Sequence, residues 1–201
     1  ILHDTDSYKM RENMKLYLVR HGESALNEKG CYYGMTDAIL SLKGIRQAEY
    51  LRNLFKNISF DYVVASPLVR AYNTAQIIIE EREQQIFGDN RLMEQNFGIF
   101  EGLTYEEIKK LHPKELEQWN RQFSDYKIPD GESFIDVRRR VEAFFQDVPS
   151  GEETRKEKML VVAHKGTLGH LLAAMLKLPL EGYWNFTFEQ GCYSEVDLED
   201  G

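Results

Sequence analysis

Thiols are scarce. Cys31 and Cys192 are the two cysteines in 201 residues, far apart and without partners at metal-ligand spacing. No disulfide framework is expected from them, and a reducing cytoplasm is the compartment that fits. No apolar run approaches the length of a membrane span. The opening residues, Ile-Leu-His-Asp-Thr-Asp-Ser, lack the basic, apolar and small-residue regions of a secretory signal. Positive charge is also in short supply, with 25 Lys and Arg against 33 Asp and Glu and a formal net charge of −8. That balance speaks against a nucleic-acid partner, although a pocket on an acidic protein can be locally positive and hold a small anion. The five histidines, His3, His21, His112, His164 and His170, include no pair at i+3 or i+4 on a helix and no His-Glu-x-x-His, so neither a metal nor another cofactor is expected. Walker A, a G-x-G-x-x-G after a strand, and G-x-S-x-G are all missing.

What remains is an ordinary globular composition, 42% apolar and 29% charged, with enough chain for one sizeable core. Residues 14–201 read as a single domain. Residues 1–13 share no pattern with the rest and are set aside as an extension. Buried strands are predicted at Leu16–Val19, Tyr62–Ala65 and Met159–Ala163, with a short one at Leu92–Met93. Helical spacing runs through Leu42, Ile45, Ala48, Leu51 and Phe55, and again through Ala71, Ala75 and Ile78. Further helices are predicted at Thr104–Leu111, Glu115–Phe123, Ser133–Val148 and Thr167–Leu176, the third opened by a Ser133/Asp136 capping box. The charged stretch Gly151–Lys158 reads as a surface loop, and Trp184–Leu198 as one or two edge strands. His170 falls off the Leu168/Leu172 side of its helix and is expected to face solvent; His112, before Pro113, is expected at a helix end. Apolar strands separated by helices predict an α/β fold, a mostly parallel sheet covered on both faces.

In such a sheet, ligands bind beyond the carboxyl ends of the strands. Arg20-His21-Gly22 follows the first strand, Ser66-Pro67-Leu68-Val69-Arg70 the second, and His164-Lys165-Gly166 the third. Two guanidiniums and two imidazoles, with Lys165 beside them, are thus delivered to one edge. A cluster of that sign calls for an anion. Arginine forks and helix N-termini suit phosphate, and Gly22 and Gly166 allow backbone to approach a ligand closely.

Leu18-Val19-Arg20-His21-Gly22-Glu23-Ser24, with Asn27 after it, resembles the signature of the histidine phosphatase (phosphoglycerate mutase-like) superfamily. Four later blocks resemble that family in the same order: Gly34–Ala48, Ser66–Ala75, Leu92–Thr104 and Ala163–Gly166. Together they span nearly all of Met14 to Leu198. Phe97–Thr104 and Ile128–Ser133 look most like the α-ribazole phosphatases of that superfamily, which act late in cobalamin assembly. The resemblance implies a three-layer α/β/α sandwich with one antiparallel edge strand, and metal-independent hydrolysis of a small phosphate ester. It implies a cap over the site from about 104–132. The chain departs from the common pattern at Lys165, at Gly169 where an arginine often stands, and at Phe100 where a tryptophan does.

On this resemblance His21 is the nucleophile that becomes phosphohistidine, Arg20, Arg70 and His164 stabilise the phosphoryl oxygens, and Glu94 is the general acid and base. Glu101 is the competing carboxylate. Substrate contacts are expected from Arg20, Gly22, Ser24, Asn27, Tyr33, Gly34, Arg70, Glu94, His164, Lys165 and Gly166, with Tyr33 alternatively an aromatic plug in the core. Cap aromatics Tyr105, Trp119, Phe123 and Tyr126 favour a ring-bearing substrate. The other readings are a broad-specificity small-molecule phosphatase, a phosphoglycerate mutase, a protein phosphatase and a non-enzymatic phospho-ligand sensor. The short stretch between Glu94 and Ser133 favours hydrolysis over mutase chemistry. Monomer and homodimer both remain open.

Overall fold

The computed structural model describes residues 13–80, 82–149 and 155–199, leaving the side chain of Glu28 aside. The extension 1–13 therefore falls outside the described residues apart from Asn13, as does 151–154 of the predicted loop. Five strands form one sheet in the order β3-β2-β4-β1-β5. They are β1 (Met14–Arg20), β2 (Tyr62–Ala65), β3 (Phe87–Gly88), β4 (Glu157–Ala163) and β5 (Tyr193–Leu198). β1 and β2 both run parallel to β4, β3 runs parallel to β2, and β5 pairs antiparallel with β1. This is the mostly parallel α/β fold that the strand and helix pattern predicts, with the antiparallel edge strand that the family resemblance implies.

Alternation along the central strands feeds two cores. Leu16, Leu18, Met159 and Val161 face α6 (Phe134–Asp147) and α7 (Lys165–Met175), where Val141, Phe144, Leu168 and Leu171 complete the layer. Tyr17, Val19, Leu160 and Val162 face the other way, against Leu51 of α2 (Leu42–Leu54), Phe55 at its C-cap, and Ala71, Ala75 and Ile78 of α3 (Val69–Ile78). Each such side chain contributes about 1.5–3 kcal/mol on full burial, which is why Leu16–Val19 of β1 and Met159–Ala163 of β4 read as unbroken apolar runs. A third, smaller cluster of Phe100, Ile108, Leu116 and Ile128 lies under α4 (Tyr105–Leu111) and α5 (Pro113–Arg121). A four-residue helix, α1 (Ala25–Glu28), follows β1. No helix among the described residues is long and apolar enough to cross a membrane.

Several local expectations shift. The strand predicted at Leu92–Met93 is a 3-10 turn over Asn90–Leu92, because the Asp89 side chain accepts from Arg91 N at 2.8 Å and caps it; the strand lies earlier, at Phe87–Gly88. α7 begins two residues before Thr167 because His164 serves as its N-cap. α5 starts at Pro113, whose missing N–H costs nothing at a first helical position, with His112 at the junction with α4. β4 starts at Glu157, inside the predicted loop. The tail holds one strand, since Leu180–Asn185 coils into a 3-10 helix.

The capping box is present: Asp136 N donates to Ser133 Oγ at 3.2 Å and Ser133 N to Asp136 Oδ2 at 3.1 Å. Ser133→Ala should cost about 1 kcal/mol, read as a lower urea midpoint with an unchanged slope. A midpoint equal to wild type would show that the cap contributes nothing.

Candidate functional site

β4 lies between β1 and β2, and the registers bring their carboxyl ends level: Arg20 pairs with Ala163, and Ala65 with Val162. The ladder runs one residue further on each side, with His21 N donating to Ala163 O at 3.0 Å and Ser66 N to Val162 O at 2.9 Å. His21 and His164 are thereby set with ring centroids 5.0 Å apart.

His21 is 3% exposed. Its Nδ1 lies 2.7 Å from the Gly22 carbonyl oxygen. A carbonyl only accepts, so Nδ1 carries the proton and Nε2 keeps its lone pair. Burial, helped by the Arg70 charge, pushes the His21 pKa down to about 3. Gly22 N in turn donates to Thr74 Oγ1 at 3.0 Å, and that hydroxyl donates to Arg70 O at 2.7 Å, tying the loop after β1 to α3. His164 is fully buried, with Nε2 2.8 Å from Ser66 Oγ and Nδ1 without a hydrogen-bond partner. Burial and then Arg70 hold its pKa well below the ordinary imidazole value.

The arginines face no close counter-charge. Among the described residues, neither Arg20 nor Arg70 has a carboxylate within ion-pair distance. Arg20 donates to Phe188 O at 3.1 Å. Arg70, 0% exposed, donates to Thr36 O at 3.1 Å and Gly34 O at 2.7 Å, and its guanidinium carbon sits 4.6 Å from the Tyr33 ring centroid. The Nε of both arginines is sealed from solvent and unpartnered. Two cations prepared in this way, beside two neutral imidazoles, fit a phosphate-sized anion.

Glu101 holds the Arg70 carbonyls in place. Its carboxylate accepts from Gly34 N at 2.8 Å, Met35 N at 3.0 Å, Thr36 N at 3.1 Å, Thr36 Oγ1 at 2.6 Å and Phe97 N at 3.0 Å. Gly34 has to be glycine there, because a Cβ would lie 1.5 Å from Gln95 O. Glu94 stands elsewhere, with Oε1 accepting from Gln95 N at 3.0 Å and Oε2 from Gly166 N at 3.1 Å.

These groups open on a cavity of about 420 Å3. Arg20, Arg70 and Lys165 form its cationic side around the neutral His21, and Asn27, Tyr33, Glu94 and Gly166 also line it. Gly22, Ser24, Gly34 and His164 are not among the residues that line it. Ser24 Oγ is 2.7 Å from Tyr33 Oη, and Asn27 Oδ1 accepts from Ser24 N at 3.0 Å and Gln190 Nε2 at 2.8 Å. Tyr33 thus meets the cavity while its ring supports Arg70. Most of the remaining wall is aromatic, from Tyr32, Phe97, Trp119, Phe134, Tyr183 and Trp184, and Cys31, Gln95 and Val137 also line it. Of the aromatics expected in the cap, Trp119 reaches it. Phe123 packs on Phe134 and Trp184, Tyr126 joins the small cluster, and Tyr105 is exposed.

His170 does not face solvent. It is 2% exposed and lines the cavity, stacked on Tyr183 with centroids 4.5 Å apart. The helix pattern misleads because α7 packs on the sheet and also on α6 and the 3-10 helix at Leu180–Asn185, so both of its sides are covered. Ser66 and Thr74 lie within the Ser66–Ala75 block, which assigns neither a role, and nothing local marks Tyr183.

The family model for the histidine phosphatase superfamily (branch 1) matches residues 16–201. The adenosylcobalamin/α-ribazole phosphatase of Escherichia coli strain K12 is 32% identical over 185 residues, 92% of this chain and 90% of that protein. Phosphoserine phosphatase 1 of Hydrogenobacter thermophilus is 30% identical, over 93% of this chain and 88% of its own. The crystal structure of the α-ribazole phosphatase from Shigella flexneri superposes with a TM-score of 0.85 at 33% identity, covering 92% of this chain and 90% of that one.

Two outcomes follow from the geometry. His21 and His170, both held down to about 3, and His164, also lowered, stay neutral in the fold where an unfolded imidazole titrates near 6.5. As pH falls from about 6.5 toward 3, the unfolded chain takes up protons the folded one refuses, so stability present above 6.5 is lost. Urea midpoints from pH 7.5 to pH 5 should decline; a flat profile would contradict the burial. Glu101→Gln removes one accepting oxygen from the loop that carries Gly34 and Thr36. Orthovanadate affinity by calorimetry should then fall about tenfold, corresponding to one charge-assisted hydrogen bond, and unchanged affinity would detach Glu101 from Arg70.

Proposed function

The chain belongs to the histidine phosphatase superfamily and is a phosphatase, and from that premise we propose that it hydrolyses α-ribazole 5′-phosphate, a step in cobalamin assembly, through a phosphohistidine on His21. The observation that carries the chemistry is the hydrogen bond from His21 Nδ1 to the Gly22 carbonyl at 2.7 Å. It leaves a neutral Nε2 with a free electron pair beside two arginines, which is what an imidazole nucleophile needs.

Nε2 attacks phosphorus, forming the N–P bond as the P–O bond to the leaving group breaks. Arg20 and Arg70 take the non-bridging oxygens, and His164 completes that set from behind His21. They stabilise charge that grows in the transition state, and phosphoryl transfer asks for little besides positioning and electrostatics. Glu94, on the cavity wall, gives its proton to the departing alkoxide. It then takes one from the water that attacks phosphohistidine, so phosphate leaves and His21 is restored. Glu101 has no part in proton transfer, since its oxygens serve the loop at Gly34–Thr36. Asn27, Lys165 and Gly166 contact the substrate, while Gly22, Ser24 and Gly34 act by shaping the loops behind it.

The aromatic wall supports the substrate. Stacking of an aromatic ring on such side chains contributes about 1–3 kcal/mol, a gain that phosphoserine, which has no ring, cannot collect. The stretch 104–132 acts as the cap by bringing in Trp119, within one unit spanning 14–201. A cytoplasmic setting accords with the free thiols of Cys31 and Cys192. A second reading, a phosphoserine phosphatase, draws on exposed Lys165 at the cavity, which offers a cation to a substrate carboxylate.

The test compares kcat/KM for α-ribazole 5′-phosphate, phosphoserine, 3-phosphoglycerate and adenosine 5′-phosphate in the presence of a chelator. The first should be preferred at least tenfold; preference for phosphoserine would favour the second reading. A brief pulse of 32P-labelled ester should leave acid-labile label on wild-type protein and none on His21→Ala, whose turnover should drop at least a thousandfold. Retained turnover by that variant would remove the covalent mechanism.

A further inference from the structure

The mechanism above leaves one cavity histidine without a task. The His170 ring stacks on Tyr183 at 4.5 Å and 21° and meets Phe134 edge-on at 5.4 Å. Tyr183 can lie there because residue 169 is glycine: a Cβ would come 2.7 Å from Tyr183 Cδ2 and 2.9 Å from its Cε2. Two aromatic faces therefore fix the imidazole on the cavity wall. His170 thus sits on the cavity wall among Phe134, Tyr183 and Trp184, the rings that would receive the leaving group.

Its protonation follows from its surroundings. Burial first, then Arg138 and Arg140, push its pKa down to about 3, so the ring is neutral at working pH. Nδ1 is sealed from solvent with no hydrogen-bond partner. An orphaned buried N–H is the rarer and costlier kind of unpaired group. The tautomer with the lone pair on Nδ1 and the proton on Nε2 is therefore favoured, and the ring offers the cavity a donor.

We propose that His170 is a specificity-determining residue, donating a ring N–H hydrogen bond to an sp2 nitrogen acceptor in the aromatic base of the leaving group. The assignment rests on the α-ribazole reading, and it adds a selection by atom to a selection by shape. A wall of carbon rings accepts any flat base of the right size. A single buried donor rejects bases that leave it unpaired, because an unmet polar group in a sealed site costs far more than a missing methyl group.

The experiment uses a matched pair: α-ribazole 5′-phosphate, and the riboside phosphate of the corresponding indole, which keeps the shape and lacks the ring nitrogen acceptor. Wild type should favour the first about tenfold in kcat/KM. His170→Phe, which keeps the stack, should abolish that preference by lowering turnover of the first while leaving the second within twofold. His170→Gln, which keeps an N–H donor, should restore part of it. Equal losses on both substrates would assign His170 a packing role only, and no discrimination by wild type, or discrimination surviving in His170→Phe, would also overturn the proposal. Phosphoserine turned over faster than either riboside would sink the α-ribazole reading by itself, while the ratio between the two ribosides still reports on His170 alone.

Discussion

The site depends on a guanidinium taken out of water with, among the described residues, no carboxylate in ion-pair contact with it. Arg70 is 0% exposed, and its support is two backbone carbonyls and the face of Tyr33. Burying a charge without a partner of opposite sign costs several kcal/mol even after relaxation. The fold tolerates that cost because dipoles replace part of the lost hydration and because the segment supplying them is itself anchored by Glu101. Burial first, and then this guanidinium's charge, keep His21 and His164 neutral, and the same charge attracts an anion. An ion pair in place of those carbonyls would have made the interior more comfortable and the phosphate less welcome.

Strand order converts this local arrangement into a site. β4 sits between β1 and β2, all three parallel, so their carboxyl ends emerge together and in register. A one-residue slip of β1 against β4 would turn its alternating side chains to the opposite faces and separate the rings of His21 and His164. The two cores that enforce the register are the same ones that place α3, carrying Arg70 and Thr74, on one face and α7, following His164, on the other. Stability and chemistry are thus set by the same packing. The aromatic wall is built differently, from segments far apart in the chain, including Tyr32, Trp119 and Tyr183, and it gives the cavity its apolar side.

Much of this was legible beforehand. The apolar runs at Leu16–Val19 and Met159–Ala163, the helical spacing after Leu42, and the Ser133/Asp136 cap are local patterns, and each appears where the sequence puts it. The charged residues after three strands are equally plain once a parallel sheet is assumed. The less legible parts fail for identifiable reasons. Leu92 is apolar and short of context, so nothing adjacent separates a strand from a capped turn. His170 lies on a helix covered on both sides, so its polar neighbours in the helix pattern misreport its exposure. Glu101 looks like any acidic residue until Gly34, Met35 and Thr36, more than 60 residues away, are seen to converge on it.

By itself the sequence determined the alternation of strand and helix, the caps, and which charged residues end each strand, because those depend on periodicity and on neighbours a few positions apart. Tertiary structure alone decided which carbonyls hold Arg70, that the rings of His21 and His164 meet, and that Tyr183 lies against His170 over Gly169. Those outcomes depend on long-range packing and burial, and no local pattern in the chain encodes either.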